Sequence, residues 1–503
     1  MKTLLSILLA ISFLTAHGQE YKAKKYIKSI DKEELRNHLE FLASDECEGR
    51  ETGKKGQKLA ADYIRETLEG FDLNGSLPGI DNYFQKFNLI ENRLDSFFII
   101  SNNTRLDCGI DFRMGSMKEK FAGTINSDLV FVGFGLESDY KNKDVNGKVV
   151  IYFEGQPDNL NQKSDQKTLS GYYNDTNEKL ETASKHGACC AIQIKHNEQL
   201  LKAIMEAQSS MMRSKMDFPE KKLESSSNDF TSEIMVHKND AAELLGMSNQ
   251  NLEKIYDKLN RGKVTPKIPP STMQINAYRT RNEISTENVI AYCEGGARKD
   301  ELIVVVAHYD HLGKTDNEIF NGADDNASGT AALLEIAEAF SLAKKNGEGP
   351  ERSILFLAVS AEEKGLLGSQ YFIDHPAFPL ENISVCINMD MLGRADFNHS
   401  DNPDYVYVYN SEAEDSELFN QCKVAAELTS PDLSPIYQFK GKTRLRGGSD
   451  HMSFDKAGIP VLYYYTGTHM DYHKPSDTSE KINYDNLANI TKLIFTTIWE
   501  IAN

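Results

Sequence analysis

The last third of the chain alternates short apolar runs with stretches of helical period. LIVVVA (302–307) precedes a helix around 327–343, SILFLAV (353–359) precedes 366–373, and SVCINM (384–389) follows. VYVY (406–409) leads into 414–428, VLYYY (461–465) comes next, and a terminal helix occupies about 480–502. Runs apolar at every position suit strands buried on both faces, so this alternation predicts a largely parallel sheet covered on both sides. Nearer the start, DKEELRNHLEFLA puts Leu35, Leu39 and Leu42 on one helical face behind an Asp31 N-cap, and a second helix carries Leu59, Tyr63 and Leu68. Residues 84–101 alternate and read as strand. From about 105 to 270, short β-like runs at 129–132, 149–153 and 188–194 are separated by long polar stretches. The predicted fold is therefore α/β: a mixed, mostly parallel sheet flanked by helices, interrupted by a β-rich insert. Its segments are set at 1–18, 19–104, 105–272 (the insert) and 273–503, with PKIPPST (266–272) as the returning linker.

Composition narrows the function. The 503 residues are 40% hydrophobic and 26% charged, which supplies a core and excludes wholesale disorder. With 56 Lys+Arg against 75 Asp+Glu, the net charge of −19 repels phosphate backbones, and no basic stripe offsets it. Nucleic acid is excluded as a partner. The opening MKTLLSILLAISFLTAHGQE reads as a secretory signal peptide cut before Gln19, which predicts a secreted or periplasmic protein. Its apolar run falls short of the ~20 residues of a membrane span, and no later segment reaches that length, so no membrane anchor is expected. Seven cysteines stand in no C-x-x-C pattern, and Cys190 and Cys386 sit in apolar runs like small hydrophobes.

The polar residues fall where α/β sheets place ligands, just beyond the carboxyl ends of strands. LIVVVA ends in His308-Tyr309-Asp310, SILFLAV in Ser360-Ala361-Glu362-Glu363, and SVCINM in Asp390. Asp324-Asp325 stand directly before a helix, and Ser449-Asp450-His451 and His473 follow near the C-terminus. Carboxylates parked at buried strand ends carry a large desolvation cost unless positive charge neutralises them, and Lys364 is one charge against at least four. Divalent cations meet that need, and a mixed imidazole–carboxylate set suits Zn²⁺ better than Ca²⁺ or Mg²⁺.

AHYDHLG, NGADDNASGTAALLEIA, SAEEKGLLGS, NMDMLGR, SDHMSF and YHKPSDT, in that order, resemble the co-catalytic zinc aminopeptidases of peptidase family M28. FLASDECEGRETGKKG resembles the family's N-terminal segment, and LVFVGFGLESDY, NGKVVIYFEG and KHGACCAIQI are similar to the protease-associated insert of many members. The resemblance implies a zinc-exopeptidase fold, two Zn²⁺ per chain and peptide substrates with free N-termini. It implies that Asp324 bridges the metals, that His308 and Asp390 complete one site, and that Glu363 and His473 complete the other. Glu362 is then the general base that takes a proton from the attacking water, Asp310 hydrogen-bonds the His308 imidazole, and His451 stabilises the oxyanion. A cis peptide is implied between Asp324 and Asp325.

Two other functions share these features. A glutaminyl cyclase-like enzyme would hold about one zinc per chain, and a non-catalytic secreted binding protein would have lost the ligand or base positions that are intact here. His311 and His469 read as supporting or surface groups, the 211–216 methionine cluster as packing or loop, and Arg444 and Arg446 as an ion pair or a grip on a substrate carboxylate.

Overall fold

The computed structural model describes residues 22–114, 123–157, 169–196, 201, 214–219, 232–262, 268, 271–429, 433–442 and 448–503. The signal-peptide segment, Arg444, Arg446, Met211 and Met212 lie outside the described residues, as does most of PKIPPST.

The chain forms two compact units, 1–89 with 283–503 and 90–282. The second unit begins before residue 105 and ends after residue 272, the positions at which the composition changes. The chain leaves the first unit within one long strand, Phe84–Ser101, and returns within another, Ser271–Cys293, so no turn residue marks either boundary.

In the first unit the strand order is Ser434–Phe439, Tyr405–Asn410, Val461–Tyr465, Ile383–Met389, Arg298–His308, Arg352–Val359, Ser271–Cys293. Arg298–His308 runs parallel to both its neighbours, Ile383–Met389 and Arg352–Val359, and only two of the six pairings are antiparallel. This is the mixed, mostly parallel sheet that the alternating runs predict. Its two faces meet different cores. Ile303, Val305 and Ala307 pack with Phe340, Phe495 and Trp499 of the helices Gly329–Lys345 and Tyr484–Ala502. Leu302, Val304 and Val306 pack with Phe372 and Phe454 on the other side. An apolar residue at every strand position is what two buried faces demand. On the larger face the helix Lys32–Leu42 buries Leu35, Leu39 and Leu42, and the Asp31 carboxylate caps it by accepting from the amides of Glu33 and Glu34.

Ser434–Phe439 escapes the apolar-run criterion because it is the sheet's last strand, partly exposed, with Pro435 where an edge tolerates a missing donor. In the second unit, Gly123–Phe131, Val149–Phe153, Cys190–Lys195 and Ser232–His237 form successive parallel pairs over their own apolar core. The seven cysteines form no disulfide with one another. Among the described residues no helix is long and apolar enough to cross a membrane.

Candidate metal centre

Because Arg298–His308, Arg352–Val359 and Ile383–Met389 are adjacent and parallel, their carboxyl ends share one sheet edge. His308 ends the first, Glu362 and Glu363 follow the second, and Asp390 follows the third. The tight loop before the helix Gly329–Lys345 brings in Asp325, and the loop after Val461–Tyr465 brings in His473. Three of these positions adjoin or occupy left-handed backbone: Ala361 (φ 61°) before Glu362, Met391 (φ 56°) after Asp390, and His473 itself (φ 56°). Such conformations cost roughly 1–2 kcal/mol each in an L-residue and persist where surrounding packing over-determines them.

The side chains converge on Asp325. Its Oδ1 lies 3.5 Å from His308 Nε2, and its Oδ2 lies 3.1 Å from His473 Nε2. His308 Nε2 is also 3.4 Å from Asp390 Oδ1, and His473 Nε2 is 3.3 Å from Glu363 Oε2. His311, fully buried, places Nδ1 2.8 Å from Glu363 Oε1 and 3.8 Å from Asp325 Oδ2. His308, Asp325 and Asp390 thus form one set of donor atoms close enough to share an ion, and His311, Asp325 and Glu363 form a second. The His308 Nδ1–H faces the Asp310 carbonyl at 3.2 Å, which leaves the Nε2 lone pair to the carboxylates. Among the described residues no lysine or arginine pairs with Asp325, Glu363 or Asp390, so the donor set fits divalent cations.

Residues 288–498 match the model described as peptidase family M28. That segment belongs to peptidase family M28. The chain is 27% identical over 251 residues to the aminopeptidase YwaD of Bacillus subtilis, a match covering 48% of this chain and 50% of the relative. The chain spans about half the length of the curated relatives it matches first. Its fold is similar to that of an aminopeptidase from Aneurinibacillus sp. strain AM-1 (TM-score 0.60, 20% identity, 96% of each chain covered). It is also similar to a zinc aminopeptidase from Bacillus subtilis (TM-score 0.57, 20% identity, 94% of this chain and 96% of that one).

Within the M28 segment, the geometry departs from the sequence expectation at several positions. Asp324, expected to bridge, turns away. Its Oδ1 accepts from the Gly393 amide at 2.6 Å, and its Oδ2 lies 3.2 Å from His469 Nε2. Asp325 takes the central position instead, and the cis peptide lies one residue later, at Asp325–Asn326. The loop is fixed by Asp477, whose Oδ2 accepts from the amides of both Asp324 (3.0 Å) and Asp325 (3.2 Å). Gly322 (φ 57°) permits the turn, since a Cβ there would come within 2.2 Å of the Asp325 carbonyl oxygen.

The Asp310 carboxylate stands 3.9 Å from His308 Nδ1, too far for a hydrogen bond. It accepts instead from the Thr52 hydroxyl (2.9 Å) and the Glu362 amide (3.0 Å), so it anchors the Glu362 backbone. His451 does not line the cleft. It stacks on Tyr463, which does, with ring centroids 4.3 Å apart, and burial pushes its pKa down to about 4, so it is neutral.

Glu362 and Glu363 are neighbours pushed in opposite directions. Burial raises Glu362 well above the usual carboxylate range, opposed by His308 and reinforced by Glu363, Asp450 and Asp390. Burial also works against ionised Glu363, but His473 and His311 pull it well below that range.

Sequence reasoning missed His311 as a donor and Arg50 as the residue that holds the loops. The fully buried Arg50 guanidinium donates to the carbonyls of Tyr309 (2.7 Å), Asn321 (2.7 Å), Gly322 (2.8 Å) and Leu42. The only sequence signal for Arg50 is its place in FLASDECEGRETGKKG.

Proposed function

We propose that the protein is an exported aminopeptidase that binds two zinc ions and releases N-terminal residues from peptides. The reading is carried by one observation: the two oxygens of Asp325 face two separate imidazole–carboxylate pairs, His308 with Asp390 and His473 with Glu363. One ion would be held by His308, Asp390 and Asp325, the other by Glu363, His473 and Asp325, with His311 beside Glu363. Zinc in such a site supplies Lewis acidity and lowers the pKa of water toward neutrality. Glu362 lines the cleft without pairing to any imidazole, and its raised pKa suits a group that takes a proton from water and passes it to the leaving amine. Asp310 keeps that base in place through the Glu362 amide. The names of the relatives and the membership of residues 288–498 in family M28 support peptide hydrolysis from the N-terminus. The Ile90–Asn282 unit is read as a protease-associated insert on its sequence motifs.

The test is hydrolysis of aminoacyl p-nitroanilides by the mature chain, with zinc content measured in parallel. Cleavage that chelator abolishes and zinc restores, at two zinc ions per chain, is the expected result. A folded, zinc-loaded protein that cleaves neither these nor unblocked peptides would overturn the reading.

A further inference from the structure

The cleft above the carboxylate cluster encloses about 780 Å³. One wall is aromatic. Tyr463 and Tyr465 stack with centroids 4.5 Å apart, and Tyr407 stacks on Tyr465 at 5.0 Å. Aromatic walls alone suit either an apolar or a cationic side chain, so a second feature has to decide between them.

That feature is Asp396, which lines the same cleft. Its Oδ1 accepts from the amides of Asn398 (2.9 Å) and His399 (3.1 Å) and lies 2.8 Å from His399 Nδ1. Its Oδ2 accepts from the Tyr407 hydroxyl at 3.0 Å, and a carboxylate oxygen with one such bond keeps acceptor capacity. Burial works against the charge, but the bonds from His399, Tyr407 and Asn398 prevail and hold the carboxyl below its ordinary range, so it stays ionised. Asp396 is 8% exposed, and Gly467 leaves room beside it: a Cβ there would come within 2.9 Å of Asp396 Oδ2, and glycine (φ 92°) supplies none. Among the described residues no lysine or arginine lines the cleft. Two divalent ions would balance Asp325, Glu362, Glu363 and Asp390, and among the described residues Asp396 is the further carboxylate that lines the cleft.

We infer that the cleft selects substrates with a cationic N-terminal side chain, arginine or lysine, whose charge meets Asp396 and whose stem lies along the tyrosine rings. The inference rests on the aminopeptidase reading and adds a substrate class to it. Guanidinium groups stack on aromatic faces and pair with carboxylates in one plane, so arginine gains from both walls at once. An acidic N-terminal residue meets the same carboxylate as a repulsion.

The experiment compares kcat/KM of the zinc-loaded full chain on arginine, lysine, leucine, phenylalanine and glutamate p-nitroanilides. Arginine and lysine should exceed leucine and phenylalanine by about tenfold, the scale of one desolvated cation–aromatic contact, and glutamate should be slowest. Asp396→Asn should collapse the arginine-to-leucine ratio toward one. Should that variant fail to fold, Tyr465→Leu should lower the same ratio. Preference for leucine or phenylalanine over both cationic residues overturns the inference and leaves the aminopeptidase reading standing, as does a ratio indifferent to either substitution. Hydrolysis of none of the five removes the underlying reading and this inference with it.

Discussion

Asp324 and Asp325 are consecutive, yet their carboxylates serve different partners: Asp325 faces His308 and His473, whereas Asp324 faces His469 and the Gly393 amide. The Asp471 amide donates to His469 Nδ1 at 3.2 Å, so Nε2 carries the proton and lies 3.2 Å from Asp324 Oδ2. Asp325→Ala should therefore abolish binding of both metals. Asp324→Ala, which removes a buttress, should weaken zinc affinity by about 10–100-fold, the usual scale for groups behind the ligands. Zinc titration of the two purified variants decides this; equal loss in both would return Asp324 to the ligand set.

Glu362→Gln keeps the size of the side chain and removes the base. It should retain both zinc ions and the thermal transition while kcat drops by at least ~10²-fold. Steady-state kinetics with metal analysis on the same sample is the check, and lost zinc would mark Glu362 as a ligand.

His473 and His311 both approach Glu363 and Asp325. We expect His473→Ala to empty one of the two metal positions first, and His311→Ala to weaken that position without emptying it. Metal stoichiometry after limited dialysis distinguishes them, and the reverse order would exchange their roles.

Arg50 joins four backbone carbonyls from three parts of the chain. Arg50→Ala strands those acceptors and leaves a cavity, which should cost about 3 kcal/mol or more of stability. Denaturant unfolding of the zinc-free protein measures it, and a change under about 1 kcal/mol would contradict the bonding described.

Glu335 lies in the large core, where burial pushes its carboxyl up to about 8, against the Asp31 amide and with help from Glu34, Glu338 and Asp31. Tyr63 and His38 also face it; His38 is 3.6 Å away, with its own pKa lowered to about 4 by burial. Between about pH 4.5 and pH 8 the folded chain keeps the Glu335 proton that the unfolded chain releases, so this contribution to stability is full below the window and lost as pH rises through it. At about 1.4 kcal/mol per unit, the loss amounts to a few kcal/mol by about pH 9. The Tm of wild type should fall more between about pH 6 and about pH 9 than that of Glu335→Gln. Parallel curves would contradict a buried, protonated Glu335.

Much of the sheet and the positions of the strand-end donors were legible because burial on both faces leaves an unbroken apolar run, and each polar residue ending such a run stands out. The choice between Asp324 and Asp325 was not legible. Two aspartates before a helix have the same local pattern, and Asp477, some 150 residues on, sets which one points inward by binding both amides. Arg50 was hidden for the same reason: its carbonyl partners near Tyr309 and Asn321 are more than 250 residues away. His311 follows His308 by three residues, and only the chain path after Asp310 turns it toward Glu363. The limits of the two units carry no signal in the sequence because they fall inside the strands Phe84–Ser101 and Ser271–Cys293.

The Arg298–His308 strand sends successive side chains into two separate cores, and both cores are oily. Hydrophobicity alone therefore does not penalise a slip of this strand by one position. Such a slip would move His308 by about 3.3 Å and turn it to the far side of the sheet, out of reach of Asp325 and Asp390. A single-residue deletion within 302–307 would accordingly leave a chain that still collapses but whose imidazole–carboxylate cluster never assembles.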